Sequence, residues 1–306
     1  MPTSPMLRSG FSHLMYPGLN EAYLLAFNEY PEEYTKFLNI GPSTKMKEEE
    51  LVVAGFGLVP EKGAEGGVVP LWDVMKMSDK IEYLHKTYVM GYECSEELLE
   101  DEQYGILRQA SRALAVAVKQ TLDVLGAIPL NYAFNSSYKG VDGKALCATD
   151  HPLAKVPGAS VANEPAVACD FDPVALKAAL ETWETWVNDN DLPLLIQPKY
   201  VVSGPYQRDI ITKTLGSTQQ PFTGDNEINA VREWGLEKMI LHYLTDTDAW
   251  WILSRPADHF MKWFWRVRPT FRNFDDPDTG NARYITRFRA SVGYTHWWGV
   301  YGSPGI

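Results

Sequence analysis

Apolar positions along this chain change their period several times, and each period predicts a different element. Between Gln103 and Leu125, the residues Leu107, Ala110, Leu114, Val118, Leu122 and Leu125 recur every three or four positions. That spacing places them on one face of an α-helix. Ser95-Glu96-Glu97 supplies an acidic opening upstream, and Gly126 and Pro129 supply the stop. At 1.5 Å per residue such a helix spans roughly 34 Å, the length of a strut. A second helix is predicted after Asp172, which caps it with Pro173 in the first turn; Leu176, Leu180, Trp183 and Val187 form its apolar stripe.

Elsewhere the period shortens to two. Leu51 to Val59 and Val68 to Met75 are rich in β-formers and are separated by Glu61-Lys62-Gly63-Ala64-Glu65-Gly66-Gly67, so the two runs predict a long hairpin. Its first strand is apolar on both faces, with Val52, Ala54, Phe56 and Leu58 on one and Leu51, Val53 and Val59 on the other. A ribbon of this kind needs a covering surface, because two strands alone are marginally stable in water. The charged, glycine-rich tip cannot anchor it, so contacts of residues 51–75 with the rest of their own chain should be sparse. Leu194–Val202, Lys238–Tyr243, Trp250–Leu253 and Tyr284–Tyr294 read as further strands, and Pro205–Leu215 as a short helix. The first fifty residues mix Pro2, Pro5, Pro17, Pro31 and Pro42 with Phe11, Tyr16, Tyr23 and Phe27. They are too interrupted for one long element and read as an arm that lies on another surface. Helices and strands alternate without a regular βαβ period, which defines an α+β fold.

Composition narrows the function classes. With 306 residues, 45% of them hydrophobic, the chain can bury a sizeable core. A net charge of -11 opposes dedicated nucleic-acid reading. No apolar run reaches the length of a membrane span, and no secretory signal opens the chain, so a reducing compartment is expected. Cys94, Cys147 and Cys169 are widely spaced, and the six histidines show no ligand spacing, so neither disulfide nor metal is expected. Cys147, Asp150 and His151 hold the parts of a cysteine nucleophile, but they crowd into one short segment, whereas a catalytic thiol and its base come from separated segments. Gly55-Phe56-Gly57 has Pro60 where a dinucleotide loop needs its third glycine. No active site and no cofactor are expected.

Two compositional features remain. Trp250, Trp251, Trp263, Trp265, Trp297 and Trp298 crowd the last sixty residues; they suit core or interface anchors, or else a carbohydrate-binding platform. Charge is also uneven. Glu93 through Glu102 carries six acids and no base, whereas Arg266, Arg268, Arg272, Arg283, Arg287 and Arg289 make the C-terminal region basic. Acidic and basic surfaces on one chain suit self-association, or else each is a solvated face.

The order of arm, hairpin, strut helix, mixed body and returning strand resembles the major capsid protein of tailed bacteriophages, the HK-ninety-seven fold. HKTYVMGYECSEELLEDEQYGILRQASRALA, from His85 to Ala115, is similar to the segment leading into the spine helix of Mu-like major head subunits. NYAFNSSYKGVDGKALCATDHPL (Asn131 to Leu153), YLTDTDAWWIL (Tyr243 to Leu253) and SVGYTHWWGVYGSPGI (Ser291 to Ile306) continue the likeness in the family's order.

This resemblance implies an N-terminal arm at 1–47, an E-loop at 48–78, a peripheral domain with the spine helix at 79–126 and 255–294, and an axial domain at 127–254 and 295–306. It implies a virion protein that assembles with itself into hexamers and pentamers of an icosahedral shell around double-stranded DNA, held non-specifically, after assembly in the host cytoplasm. The short arm leaves no room for a fused scaffolding segment, which implies a separate scaffolding protein, with portal and decoration proteins as further partners. Self-assembly contacts are expected at Phe56, Leu58, Glu61, Lys62, Glu65 and Trp72 of the hairpin, at Glu96, Glu97, Glu100 and Asp101, and at Arg266, Arg268 and Arg287. The alternatives are a carbohydrate-binding virion module and an encapsulin-like compartment shell.

Overall fold

A computed structural model of the chain describes residues 12–59, 75–95, 97–98, 105–219, 228–275 and 281–306. In chain order it contains α1 (Ser12–Glu29), β1 (Asn39–Pro42), β2 (Lys47–Glu50), β3 (Val53–Ala54), β4 (Lys76–Met77), β5 (Ile81–Leu84), β6 (Lys86–Cys94), α2 (Ile106–Gly126) and α3 (Ile128–Asn131). There follow β7 (His151–Pro152), β8 (Ser160–Val161), α4 (Pro173–Glu184), β9 (Tyr200–Ser203), α5 (Arg208–Gly216), β10 (Glu237–Ile240), β11 (Trp250–Leu253), β12 (Met261–Asp275), β13 (Ala282–Tyr294) and β14 (Val300–Ser303).

The predicted strut is α2, 21 residues long, which buries Leu107, Leu114, Val118 and Leu122. The supposed irregular arm is in part a helix. In α1 the residues Leu19, Ala22, Tyr23 and Ala26 form a buried stripe, and the helix packs along α2. Pro17 is the sixth residue of the helix, ahead of this stripe, and removes one i→i−4 bond there, and Pro31 falls beyond the helix end. The prolines therefore flank the helical stripe instead of cutting it. Gly126 closes α2 against Tyr34: a Cβ built there would stand 2.3 Å from the tyrosine Cβ.

α1 and α2 cover one face of a four-stranded sheet ordered β1-β12-β13-β6. Along β13 the pattern is strict, with Ala282, Tyr284, Thr286, Phe288 and Ala290 buried and the arginines between them on the other face. A second four-stranded sheet, β10-β9-β11-β14, carries α4. Asp172 caps α4 as predicted, accepting from the N–H of Ala175 at 2.7 Å and from that of Val174. The helix ends at Glu184, short of Val187. β9 also begins later than expected, at Tyr200: the Leu194 N–H bonds to the Trp186 carbonyl, and Pro193 and Pro198 keep the intervening residues out of the ladder.

The central core joins the two sheets. Val202, Trp251 and Leu253 of the second meet Trp263, Trp265 and Phe288 of the first, with Val118 and Leu122 of α2. Trp183, Trp186, Trp250 and Trp297 fill a further core under α4. The tryptophan cluster is thus consumed by packing, which removes the basis for a sugar-binding platform.

The described ladder of the hairpin lies at its root, and the predicted second strand, Val68 to Met75, lies outside the described residues but for Met75. The strands that pair are Lys47–Glu50 with Ile81–Leu84 and Val53–Ala54 with Lys76–Met77, while Gly55–Val59 joins no ladder. The polar β2 forms a strand because its charges find partners: Lys47 meets Glu82 at 2.5 Å and Lys80 meets Glu49 at 3.1 Å across the ribbon. Gly55 and Gly57 end the ladder in the segment expected to be most strand-like.

Candidate assembly surfaces

The hairpin is fastened to the body at its root by polar groups. His85, the single residue between β5 and β6, is buried between Ser43 Oγ at 2.8 Å from Nε2 and Ser291 Oγ at 3.0 Å from Nδ1. The Ser43 hydroxyl donates to Glu48 Oε1 at 2.7 Å, so Nε2 carries the imidazole proton and donates to Ser43, while Nδ1 accepts from Ser291. Burial lowers the basicity of this imidazole; Glu48 opposes that effect, and Arg289 and Arg266 add to it. A second tie runs through Glu50, which accepts from Lys262 Nζ and Thr295 Oγ1, both at 2.6 Å. The Tyr83 hydroxyl shares Thr295 at 2.7 Å.

Beyond the root the hairpin presents apolar side chains to solvent. Phe56 is 60% and Leu58 78% exposed, as the patterning requires of a ribbon awaiting a cover. Polar contacts tie it to loops of its own chain: Lys155 Nζ donates to the Gly55 carbonyl at 2.8 Å, Asn190 Nδ2 to that of Phe56 at 3.5 Å, and Lys76 Nζ to the Ala154 carbonyl. Glu61, Lys62, Glu65 and Trp72 lie outside the described residues.

The basic residues sit on β12 and β13. Arg287 stands opposite Val89 and Thr270, and Arg268 lies over the Trp265 ring at 5.8 Å. Among the described residues none of Arg266, Arg268 and Arg287 has an ion-pair partner. Arg283, by contrast, bonds Glu93 of its own chain through Nε at 3.0 Å. Glu97 is exposed, its carboxylate held below the usual range by its own backbone N–H and the Ser95 hydroxyl. Glu96, Glu100 and Asp101 lie outside the described residues.

The structure gives the Cys147 segment a packing role. Cys147 is buried, and burial pushes its thiol well above the ordinary range, so it is no thiolate. His151 pairs with Asp142 at 2.5 Å and with Asn163 Oδ1 at 2.9 Å, while the Asn163 amide donates to the carbonyls of Leu146 and Val300. The network staples three loops together. Asp150 turns away to an ion pair with Lys144. No group of potential metal ligands occurs among the described residues, and no helix there is long and apolar enough to cross a membrane.

Sequence reasoning reached the exposed hairpin and the arginines but missed the root. His85, Ser43, Glu50 and Thr295 are far apart in sequence, and nothing in their local patterns announces that β5, β1 and β13 converge there.

Two sheets joined by one core, a helix-covered sheet and an outlying hairpin define a shell-building subunit. Residues 79–303 match the family model described as phage capsid protein, and the chain belongs to that family. It is a structural protein of the virion that associates with copies of itself, not an enzyme. No curated protein sequence matches the chain significantly. Solved structures share the fold. A virus-like particle subunit from Pyrococcus furiosus aligns with a TM-score of 0.54 at 10% identity, over 93% of this chain and 97% of that one. The procapsid of bacteriophage JBD30 aligns at 0.52 and 15% identity, over 98% of this chain and 76% of that one. The subunit of Microbacterium phage Oxtober96 aligns at 0.53 and 12% identity, over 90% and 92%.

Proposed function

We propose that this chain is the repeating subunit of an icosahedral head, assembled as hexamers and pentamers around double-stranded DNA, and that its hairpin lies across a neighbouring subunit. The observation that carries the reading is the exposure of Phe56 and Leu58 on a ribbon whose root is fixed by polar bonds. Large apolar side chains held out on an arm are stabilising only when a surface covers them. In this reading 1–47 is the arm, 48–78 the E-loop, 79–126 with 255–294 the peripheral domain, and 127–254 with 295–306 the axial domain. Arg266, Arg268 and Arg287 receive carboxylates of another copy, among them Glu96, Glu97, Glu100 and Asp101. Assembly takes place in the host cytoplasm with a separate scaffolding protein, a portal and decoration proteins. A net charge of -11 suits a wall that must release its DNA, since each phosphate contact would have to be broken on ejection.

The test is assembly of purified protein followed by sedimentation and electron microscopy. Wild type should form closed shells or capsomers, and Phe56→Asp with Leu58→Asp should stay folded and monomeric. A wild-type protein that remains monomeric with its scaffold present, or a double variant that closes shells normally, defeats the reading.

A further inference from the structure

Between the base of the hairpin and the body lies a cleft that shell assembly leaves unexplained, and we propose that it binds a small organic anion with a flat apolar body, such as an aryl carboxylate.

The cleft measures about 350 Å³, at the lower end of ligand-pocket volumes, and so has room for one ring system and its charged group. Leu84 of β5 stands on the hairpin side, Leu125 of α2 and Ile128 of α3 stand on the other, and Val292 of β13 lies between them. These side chains offer nothing to a polar group, so the body of the ligand must be apolar.

The polar groups around this apolar space are mostly unspent donors. Lys86 and Lys139 line it, and among the described residues neither ammonium has an ion-pair or hydrogen-bond partner. Tyr88 and Tyr138 line it too, and among the same residues neither hydroxyl has a hydrogen-bond partner. Ring packing holds both phenols in place, with Tyr88 stacked on Phe288 at 5.0 Å and Tyr138 on Tyr132 at 4.8 Å. Burial raises the Tyr88 phenol and Tyr138 adds to the effect, so at neutral pH it keeps its proton to donate. The carboxylate on the wall, Glu82, is committed elsewhere, to Lys47 at 2.5 Å and Lys80 at 3.8 Å. Four free donors beside an apolar slot call for a partner rich in acceptor oxygens and negatively charged. Two other clefts lack this character. The groove between β6 and α2 has no charged residue, and the one between α1 and α2 sets Arg108 and Arg112 against Glu21 and Glu29. Because β5 belongs to the hairpin whereas Ile128 and Lys139 belong to the body, a bound anion would tie the two together and stiffen the hairpin at its base.

The experiment titrates naphthoate, and separately its neutral analogue naphthamide, into the full unassembled chain by calorimetry, so the outcome does not depend on shell formation. Naphthoate should bind one to one and slow amide exchange at residues 81–84 and 137–139, and naphthamide should bind at least tenfold more weakly. Lys86→Met with Lys139→Met should melt like wild type and bind naphthoate at least tenfold more weakly. Tyr138→Phe removes one donor and keeps the ring, and should weaken binding about three- to tenfold. No saturable binding below about 1 mM, equal binding of the two analogues, or unchanged affinity in the folded lysine variant overturns the proposal. Exchange slowed only outside residues 81–84 and 137–139, for instance around the exposed Phe56 and Leu58, overturns it as well.

Discussion

At Gly302 the backbone of β14 passes so close to the core that a side chain has no room. A Cβ there would stand 2.6 Å from Trp251 Cδ1 and 2.9 Å from Cys147 Sγ. Gly302→Ala should therefore overpack the joint between the two sheets and cost about 1–3 kcal/mol, read as a lower urea midpoint with an unchanged slope. Histidines give the second prediction at this scale. His259 and His296 are buried neutral, with burial pushing both imidazoles down to about 4. His259 Nδ1 accepts the Met261 N–H at 3.2 Å, and His296 Nδ1 that of Trp298 at 3.4 Å, so neither nitrogen offers a place for a second proton. An unfolded imidazole titrates near 6.5. As pH falls below that value the unfolded chain binds protons the native chain refuses, and stability declines until about pH 4, where the native imidazoles also protonate. The loss should be on the order of 3 kcal/mol per histidine. Unfolding titrations between pH 7 and pH 4.5 should show the decline, and His259→Gln with His296→Gln should flatten it.

Among the elements, α4 was legible to the residue at its start because Asp172-Pro173 is a local signal that needs no tertiary context. Asp172→Ala should cost about 1 kcal/mol through loss of the cap to Val174 and Ala175, and Asp172→Asn should restore most of it; thermal unfolding measures both. β12 was illegible for an equally physical reason. Trp263 and Trp265 alternate toward the core, but two register shifts around Pro269 break the period before Phe271 returns to the same face. A pattern of period two with two interruptions reads as no element at all. The root of the hairpin went unread, since the acidic run at Glu48–Glu50 becomes a strand only through Lys47, Lys80 and Lys262, its partners within the ribbon and on β12.

For the whole molecule, the resemblance carried by four separated stretches located the fold, whereas local patterns could not show that one core serves both sheets. They also could not show which arginines stay unpaired. Arg266, Arg268 and Arg287 have no ion-pair partner among the described residues of a chain that is acidic overall. Shell assembly should consequently slow as ionic strength rises from about 0.05 to 0.5 M, where the screening length falls below 10 Å. Light-scattering traces should show the slowing, and Arg287→Gln should reduce the salt dependence. An assembly rate indifferent to salt would remove these residues from the interface.

The shared core has a mechanical corollary. Because Trp251 and Val202 interlock with Trp263 and Phe288, rotating one sheet against the other would open a void in close-packed apolar matter, and the body behaves as a stiff tile. A closed surface nonetheless asks identical tiles to meet at unequal angles. The compliance must then reside beyond the buried root of the hairpin, where Lys155, Asn190 and Lys76 make polar bonds at the surface that water can replace one at a time. Exchanging such a bond for one to solvent costs about 1 kcal/mol, far less than breaching the core. Curvature would accordingly be absorbed as a change in hydration along the outer hairpin, leaving every tile the same inside.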